Sequence, residues 1–315
     1  MRLLGVRLLQ LIPVLFLVTV FTFALADLMP GDPAIAILGE SAQPEQIAAV
    51  RHDLGLDKPL MERYVDWAKD VLSGDLGKSY KSRQPVADNI SKRLPVNAEI
   101  ALLTIAFALV VAIPLGAWSA YRAGKWFDRA STTTAFGLSS IPPFVSALLF
   151  VAIVAVKFEW LPVSQWVPRS DGLWDHFKHL VLPVLTLSLT EIAVYSQILR
   201  ADMVATLQED YVLAARARGL PNRHVLAREA LRPSSLSLVT LAAVSLGRLI
   251  AGTVIVEQIF SLPGLGQMTT QAIPQKDAPT LQGGVLVMAT IYLFLNLLVD
   301  GIYPLLDPRV RRGRH

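Results

Sequence analysis

Asp210-Tyr211-Val212-Leu213-Ala214-Ala215-Arg216-Ala217-Arg218-Gly219-Leu220 stands between two long apolar runs, His179–Leu199 and Leu236–Val256. Residues 200–235 read as two short helices joined at a sharp exit. Asp210 is placed to cap the first, Gly219 sits where a helix commonly ends in a left-handed residue, and Pro221-Asn222 restarts the chain. The segment carries Arg200, Arg216, Arg218, Arg223, Arg228 and Arg232. Arginine crowded into a loop beside membrane spans marks the cytoplasmic face.

Outward from this loop the chain is apolar. Of 315 residues, 53% are hydrophobic and 17% charged, below the ~25% charged of a soluble globular chain. A helix needs ~20 mainly apolar residues to cross a bilayer. Six segments qualify: Leu8–Leu28, Ile100–Ala120, Ser131–Val156, His179–Leu199, Leu236–Val256 and Val285–Leu306. Pro13, Pro114, Pro142, Pro143 and Pro183 fall within them, and neighbouring helices can satisfy the backbone groups that these prolines free. The first segment has a rival reading. Arg2, Arg7 and Ala24-Leu25-Ala26 also fit a secretory signal. An uncleaved helix makes the number of spans even and leaves both termini on one side.

The cations test that arrangement. With the N-terminus inside, fifteen Lys and Arg fall in inner segments and four in the short outer loops, at Lys157, Arg169, Lys178 and Lys276. Nine lie in 29–96, a segment long enough to translocate regardless of charge, and Arg248 is inside a span. Both termini are therefore expected in the cytoplasm, with 29–96 outside. Within 29–96, Pro44-Glu45-Gln46-Ile47 looks like a helix start and Leu60–Leu72 has helical apolar spacing.

Enzyme chemistry is missing. Gly77-Lys78-Ser79 matches the end of a phosphate-binding loop, but the first glycine of that motif is replaced by Leu72. The chain has no cysteine, hence no thiolate ligand or cysteine nucleophile. His176 and His179 flank a span end and are expected to anchor at the membrane interface rather than bind metal.

The loop at 210–220, continuing to Ala230-Leu231-Arg232, resembles the "EAA" coupling loop of ABC importer membrane subunits, in the variant of the dipeptide/oligopeptide/nickel permease family. The resemblance extends over nearly the whole chain, with the motifs in the same order. Pro30-Gly31-Asp32-Pro33, Leu54-Gly55-Leu56-Asp57-Lys58-Pro59 and Gly74-Asp75-Leu76-Gly77-Lys78-Ser79 are similar to the B-type subunit of peptide importers. So are Glu257-Gln258-Ile259-Phe260, Pro263-Gly264-Leu265-Gly266, and Asn296–Asp300 through Leu306–Arg309. The chain departs from the pattern at Leu213, which replaces a glutamate, and at Pro233, which stands in for a later proline. Gln197 and Arg248 also differ, the first replacing an arginine and the second a small or apolar residue.

The resemblance implies an all-α membrane protein of the type I ABC importer fold. It implies six transmembrane helices: an N-terminal helix (1–28), an extracytoplasmic helical domain (29–96), a permease core (97–306) holding the coupling loop 200–235, and a cytoplasmic tail (307–315). It implies a non-catalytic, pore-forming subunit in a bacterial cytoplasmic membrane that moves di- and oligopeptides. A second homologous permease, two cytoplasmic ATP-binding subunits and an extracytoplasmic binding protein would complete the machine. ATP and magnesium would be used by those partners, with no cofactor on this chain and no nucleic acid. Tyr211, Ala214, Ala215, Arg216, Ala217, Arg218 and Gly219 would couple to the ATPases, the small alanines seating a short helix in a partner groove.

Other cargo (nickel chelates, haem, oligosaccharides) is open to the same fold. A secondary transporter would need inverted repeats or intramembrane coupling charges. No repeat is visible, and Glu191, Arg248 and Asp300 are the candidate buried charges. Counting ~1.5 Å per residue, Glu191 and Arg248 lie roughly 12 and 18 Å from the inner ends of their spans, within reach of each other. Either they form a buried pair that fixes packing, or Arg248 lines the conduit and meets an acidic group on the cargo.

Overall fold

The computed structural model describes the backbone of residues 2–306 apart from 30, 40 and 164, and within that range the side chains of 9–299 and 301. Pro30, the side chains of Arg2, Arg7 and Asp300, and the 307–315 tail with its four arginines lie outside the described residues.

The described chain is helical. In order it forms α1 (Arg2–Asp27), α2 (Pro33–Leu38), α3 (Pro44–Asp53), α4 (Leu60–Leu72), α5 (Val86–Tyr121), α6 (Trp126–Ser139) and α7 (Pro143–Phe150). There follow α8 (Leu173–Thr206), α9 (Asp210–Ala217), α10 (Asn222–His224), α11 (Leu231–Gly252), α12 (Val254–Ile259), α13 (Leu265–Ala272) and α14 (Ala278–Leu306). Wider π-type turns continue α7 over Val151–Lys157 and join α10 to α11 over Val225–Ala230. Among the described residues five helices are long and apolar enough to cross a membrane, or six if α6 and the α7 segment together make one crossing.

That pair corrects one expectation. Ser131–Val156 is not a continuous span: Trp126–Ser139 and Pro143–Lys157 meet at 97°. Proline offers no N–H and pushes the residue before it out of the helical region, so Ile141-Pro142-Pro143 breaks the helix twice over. The fifth span also shifts. It runs Asn222–Gly252 rather than Leu236–Val256, and a separate short helix begins at Val254.

By internal contacts the chain forms two compact units. The first holds residues up to 98, 250–258 and 262–294. In it the Asp32 side chain caps α2 by accepting from the Ala34 N–H (2.9 Å), with Pro33 in the first turn, and also binds Arg51 (2.7 Å). That hydrogen bond, with the adjacent negative charge, holds the Arg51 guanidinium above its ordinary pKa. α4 lies on the second half of α1. There Tyr64 packs edge-on against Phe23 with ring centres 5.5 Å apart, its hydroxyl is 3.0 Å from that of Thr19, and Arg63 bonds Asp27 at 2.7 Å.

Two buried carboxylates organise the rest of this unit. Glu257 accepts from Asn97 Nδ2, Thr253 Oγ1 and the Gln267 N–H, each at 2.7 Å, while Asn97 Oδ1 accepts from the Leu265 N–H at 2.8 Å. This network gives the run from Glu257 to Gly266 its physical purpose: the acid folds the Pro263-Gly264-Leu265-Gly266 turn around itself. Asp277 accepts from Ser79 Oγ (2.5 Å), the Tyr80 N–H (2.9 Å) and Thr280 Oγ1 (2.8 Å). The serine of Gly77-Lys78-Ser79 is thus committed to the fold.

The second unit holds residues 99–249, 259–261 and 295 onward. Its core joins Ala108, Ala112 and Ala120 of α5 to Ile192, Tyr195, Leu199 and Met203 of α8, Val212 of α9, and Leu238 and Ala242 of α11. α5 and α8 approach closely at Gly116, where a Cβ would sit 2.8 Å from the Ser196 carbonyl oxygen. His176 is buried within this unit. Its Nδ1 lies 2.6 Å from the Val167 carbonyl and its Nε2 2.9 Å from Glu99, which also binds Arg169 at 2.6 Å.

Candidate coupling and conduit site

α9 is short, and its ends are set by different chemistry. The N-cap position belongs to Glu209, without a side-chain capping bond, so Asp210 is the first helical residue rather than the cap. Its negative charge in the first turn still suits the helix dipole. At the other end Gly219 has φ +77°, its N–H bonds the Arg216 carbonyl (2.9 Å), and the Leu220 N–H reaches back to Ala215 (3.4 Å). This double bond pattern around a left-handed residue closes helices at glycine because a side chain there would be strained.

Val212 and Ala215, three residues apart, point into the chain's own core and are fully buried. Tyr211, Leu213, Ala214, Arg216, Ala217 and Arg218 are exposed. The residues grouped as a docking face therefore divide: Ala215 anchors the helix to its own chain, and its neighbours face away. A further bond ties α9 to the start of the fifth span. Pro233 has no N–H to offer the Glu229 carbonyl four residues earlier, and the Tyr211 hydroxyl donates to that carbonyl at 3.1 Å. Ser234 Oγ donates to Thr206 Oγ1 at 3.0 Å, linking α11 to the end of α8.

One turn and a half before the end of α8, Arg200 grips Asp128 of α6 through both Nε and Nη2, the latter at 2.6 Å. Asp128 is buried and also accepts from Ser119 Oγ (2.7 Å) and the Gly124 N–H (2.8 Å). A single carboxylate thus fixes the α5–α6 turn to α8.

Glu191 of α8 and Arg248 of α11 meet: Arg248 Nη2 donates to Glu191 Oε1, and Ser245 Oγ donates to Oε2 at 3.0 Å. The two partners differ in surroundings. The Glu191 side chain is 3% exposed and that of Arg248 57%. Both line a cleft of about 370 Å³ whose other walls include Ser139, Ser140, Pro142, Thr190 and Leu249. The cleft therefore sits at the elbow between α6 and α7. Ser245 carries no motif signal in the sequence and gains its place only through tertiary packing, whereas the elbow is marked by Pro142-Pro143.

Comparison with known proteins gives this geometry its context. Residues 112–312 match the family described as binding-protein-dependent transport system inner membrane component, and residues 1–101 match its N-terminal counterpart. A Brucella abortus protein named as a peptide transport system permease is 38% identical over 305 residues, covering 97% of each chain. The dipeptide transport system permease protein DppB of Escherichia coli K12 is 35% identical, covering 98% of each. A chain of the MetNI methionine ABC transporter, solved in inward-facing conformations, aligns with a TM-score of 0.55 over 69% of this chain and 96% of its own. At 15% identity that likeness speaks to fold alone, and the fold is the type I ABC importer transmembrane fold. The chain is a multi-pass membrane permease component and belongs to the binding-protein-dependent transport system inner membrane component family.

Proposed function

We propose that this chain is the permease subunit through which an ATP-driven importer moves di- and oligopeptides across the bacterial cytoplasmic membrane. The observation that carries the reading is the seating of α9. Val212 locks it into the core shared by α5, α8 and α11, while its other face is exposed. A short helix so held passes a push from outside directly to three long helices. Packed interfaces switch between discrete arrangements rather than deforming gradually, so that push becomes a rigid-body change of access.

Two cytoplasmic ATPase subunits, using ATP and magnesium, would supply the push at Tyr211, Leu213, Ala214, Arg216, Ala217 and Arg218. Ala215 and Gly219 hold the helix in shape. A second homologous permease would complete the conduit, and an extracytoplasmic binding protein would deliver the cargo. In this reading α6 and the α7 segment form one bent crossing, giving six, and Glu191 and Arg248 lie along the pathway. Residues 29–96 form the extracytoplasmic domain. The names of the relatives support peptides over nickel chelates, haem or oligosaccharides as cargo.

Topology provides the test. The chain has no cysteine, so single cysteines at 60 and 218, both exposed, can be labelled one at a time. In intact cells an impermeant reagent should modify position 60 and leave 218 untouched until the membrane is opened. Labelling of 218 from outside, with 60 protected, overturns the orientation and with it the docking of ATPases at α9.

A further inference from the structure

We propose that Arg248 reads the terminal carboxylate of the cargo as it passes the elbow of the bent span. This inference rests on the peptide-import reading above and deepens it. Its basis is the asymmetry of the Glu191–Arg248 pair. The Glu99–Arg169 pair is also unequal in exposure, but Arg169 stands outside the membrane-crossing helices, whereas Arg248 lies within one, where a charge left without partner or water is costly. Here only the acid is buried: both oxygens of Glu191 are engaged, one by Arg248 and one by Ser245. The guanidinium has five N–H donors and gives one of its nitrogens, Nη2, to Glu191. The rest of it is more than half exposed and borders the cleft.

A guanidinium inside a membrane-crossing helix has to face protein or water. Its planar fork matches a carboxylate through two parallel bonds, a geometry that a lysine does not offer. The cleft, about 370 Å³, is of the size that takes a small ligand. Thr190 on its wall adds a hydroxyl that can donate to the carboxylate, while those of Ser139 and Ser140 are given to the Phe136 carbonyl. The buried Glu191 sets the strength. A bare arginine would hold an anion tightly, whereas one with its counter-charge fixed behind it binds more weakly. Passage needs a site that is favourable to enter and weak enough to leave.

The test uses the complete complex, with its ATPases and binding protein, in proteoliposomes. Uptake of a labelled dipeptide with a free C-terminus is compared with that of its C-terminal amide, both first confirmed as bound by the binding protein. Arg248→Gln should lower ATP-driven uptake of the acid about tenfold, the scale of one charge-assisted bond, and change uptake of the amide less than about twofold by the same reasoning. The double variant Glu191→Gln/Arg248→Gln strands no buried acid and should show the same acid-selective loss.

Equal loss for acid and amide, or no loss, overturns the carboxylate assignment and leaves the import function standing. Failure of the double variant to assemble overturns it too, since Arg248 would then serve packing. A wild-type complex that binds both peptides and moves neither overturns the peptide reading itself.

Discussion

Ala214→Trp is expected to lower ATP-coupled transport more than tenfold while the chain still folds and inserts. Ala214 lies on the exposed side of α9, so its replacement disturbs nothing within the chain. In the proposed docking, a partner surface fitted to a methyl group would meet an indole instead. Overpacking of a fitted site costs roughly 1–3 kcal/mol, about one to two decades in a docking equilibrium. Ala215→Arg provides the contrast. Ala215 is fully buried against its own chain, so a guanidinium there must either stay uncompensated in the core or push α9 away from it. That variant is expected to lose folded protein rather than coupling. Thermal unfolding in detergent and co-purification of the ATPase subunits separate the two cases. Normal ATPase recruitment and uptake by the Ala214→Trp variant would show that the docking face lies elsewhere.

Asp128→Ala is expected to destabilise the detergent-solubilised chain by about 3 kcal/mol, the low end for breaking a buried pair. The buried carboxylate accepts from Ser119, Gly124 and both Nε and Nη2 of Arg200. Its removal leaves a guanidinium facing a hole. Arg200 is itself partly exposed, with 27% of its side chain open, so water can reach it, which is why the low end applies. Adding Arg200→Ala should recover part of the loss, because the second change removes the stranded charge. A loss below about 0.5 kcal/mol, typical of a surface substitution, would mean that this grip does not hold the α5–α6 turn to α8.

Asp128 and Arg200 also mark a limit on what sequence can tell. Both are legible as members of cation-rich inner segments, but nothing in the spacing of residues so far apart announces that they touch. The same holds for Asn97 and Glu257. The Glu257 motif can be matched by resemblance, while the hydrogen bonds between the two residues arise only when the turn at Pro263–Gly266 folds over them. Local chemistry is far more readable. The helix at Leu60–Leu72 follows from its apolar spacing and appears with those ends. The left-handed exit at Gly219 follows from its place after an alanine-rich turn, and its φ is positive.

Two signals are present in the sequence and point to the wrong local structure. Pro142-Pro143 carries the break between α6 and α7, yet apolar length alone favours a continuous helix through it. In α9, three small alanines give no clue to which side faces the core. Val212 does, because a fully apolar β-branched residue in a polar loop asks for burial, and Ala215 lies one turn beyond it on the same face. Glu191 and Arg248 are close enough in depth to be paired by counting residues. Their unequal exposure, on which the proposed conduit role draws, is a property of the folded chain alone.

ATP-driven uptake by the reconstituted complex bears most directly on the import function. The chain is purified with its ATPase subunits and second permease, sealed into vesicles with the ATP-binding side accessible, and given binding protein loaded with labelled dipeptide on the other side. Dipeptide is expected to cross toward the ATPase side only when ATP and magnesium are supplied, and to stop when this chain carries Ala214→Trp. Equal uptake without ATP, driven instead by an imposed proton or sodium gradient, would contradict the assignment of this chain to an ATP-driven importer.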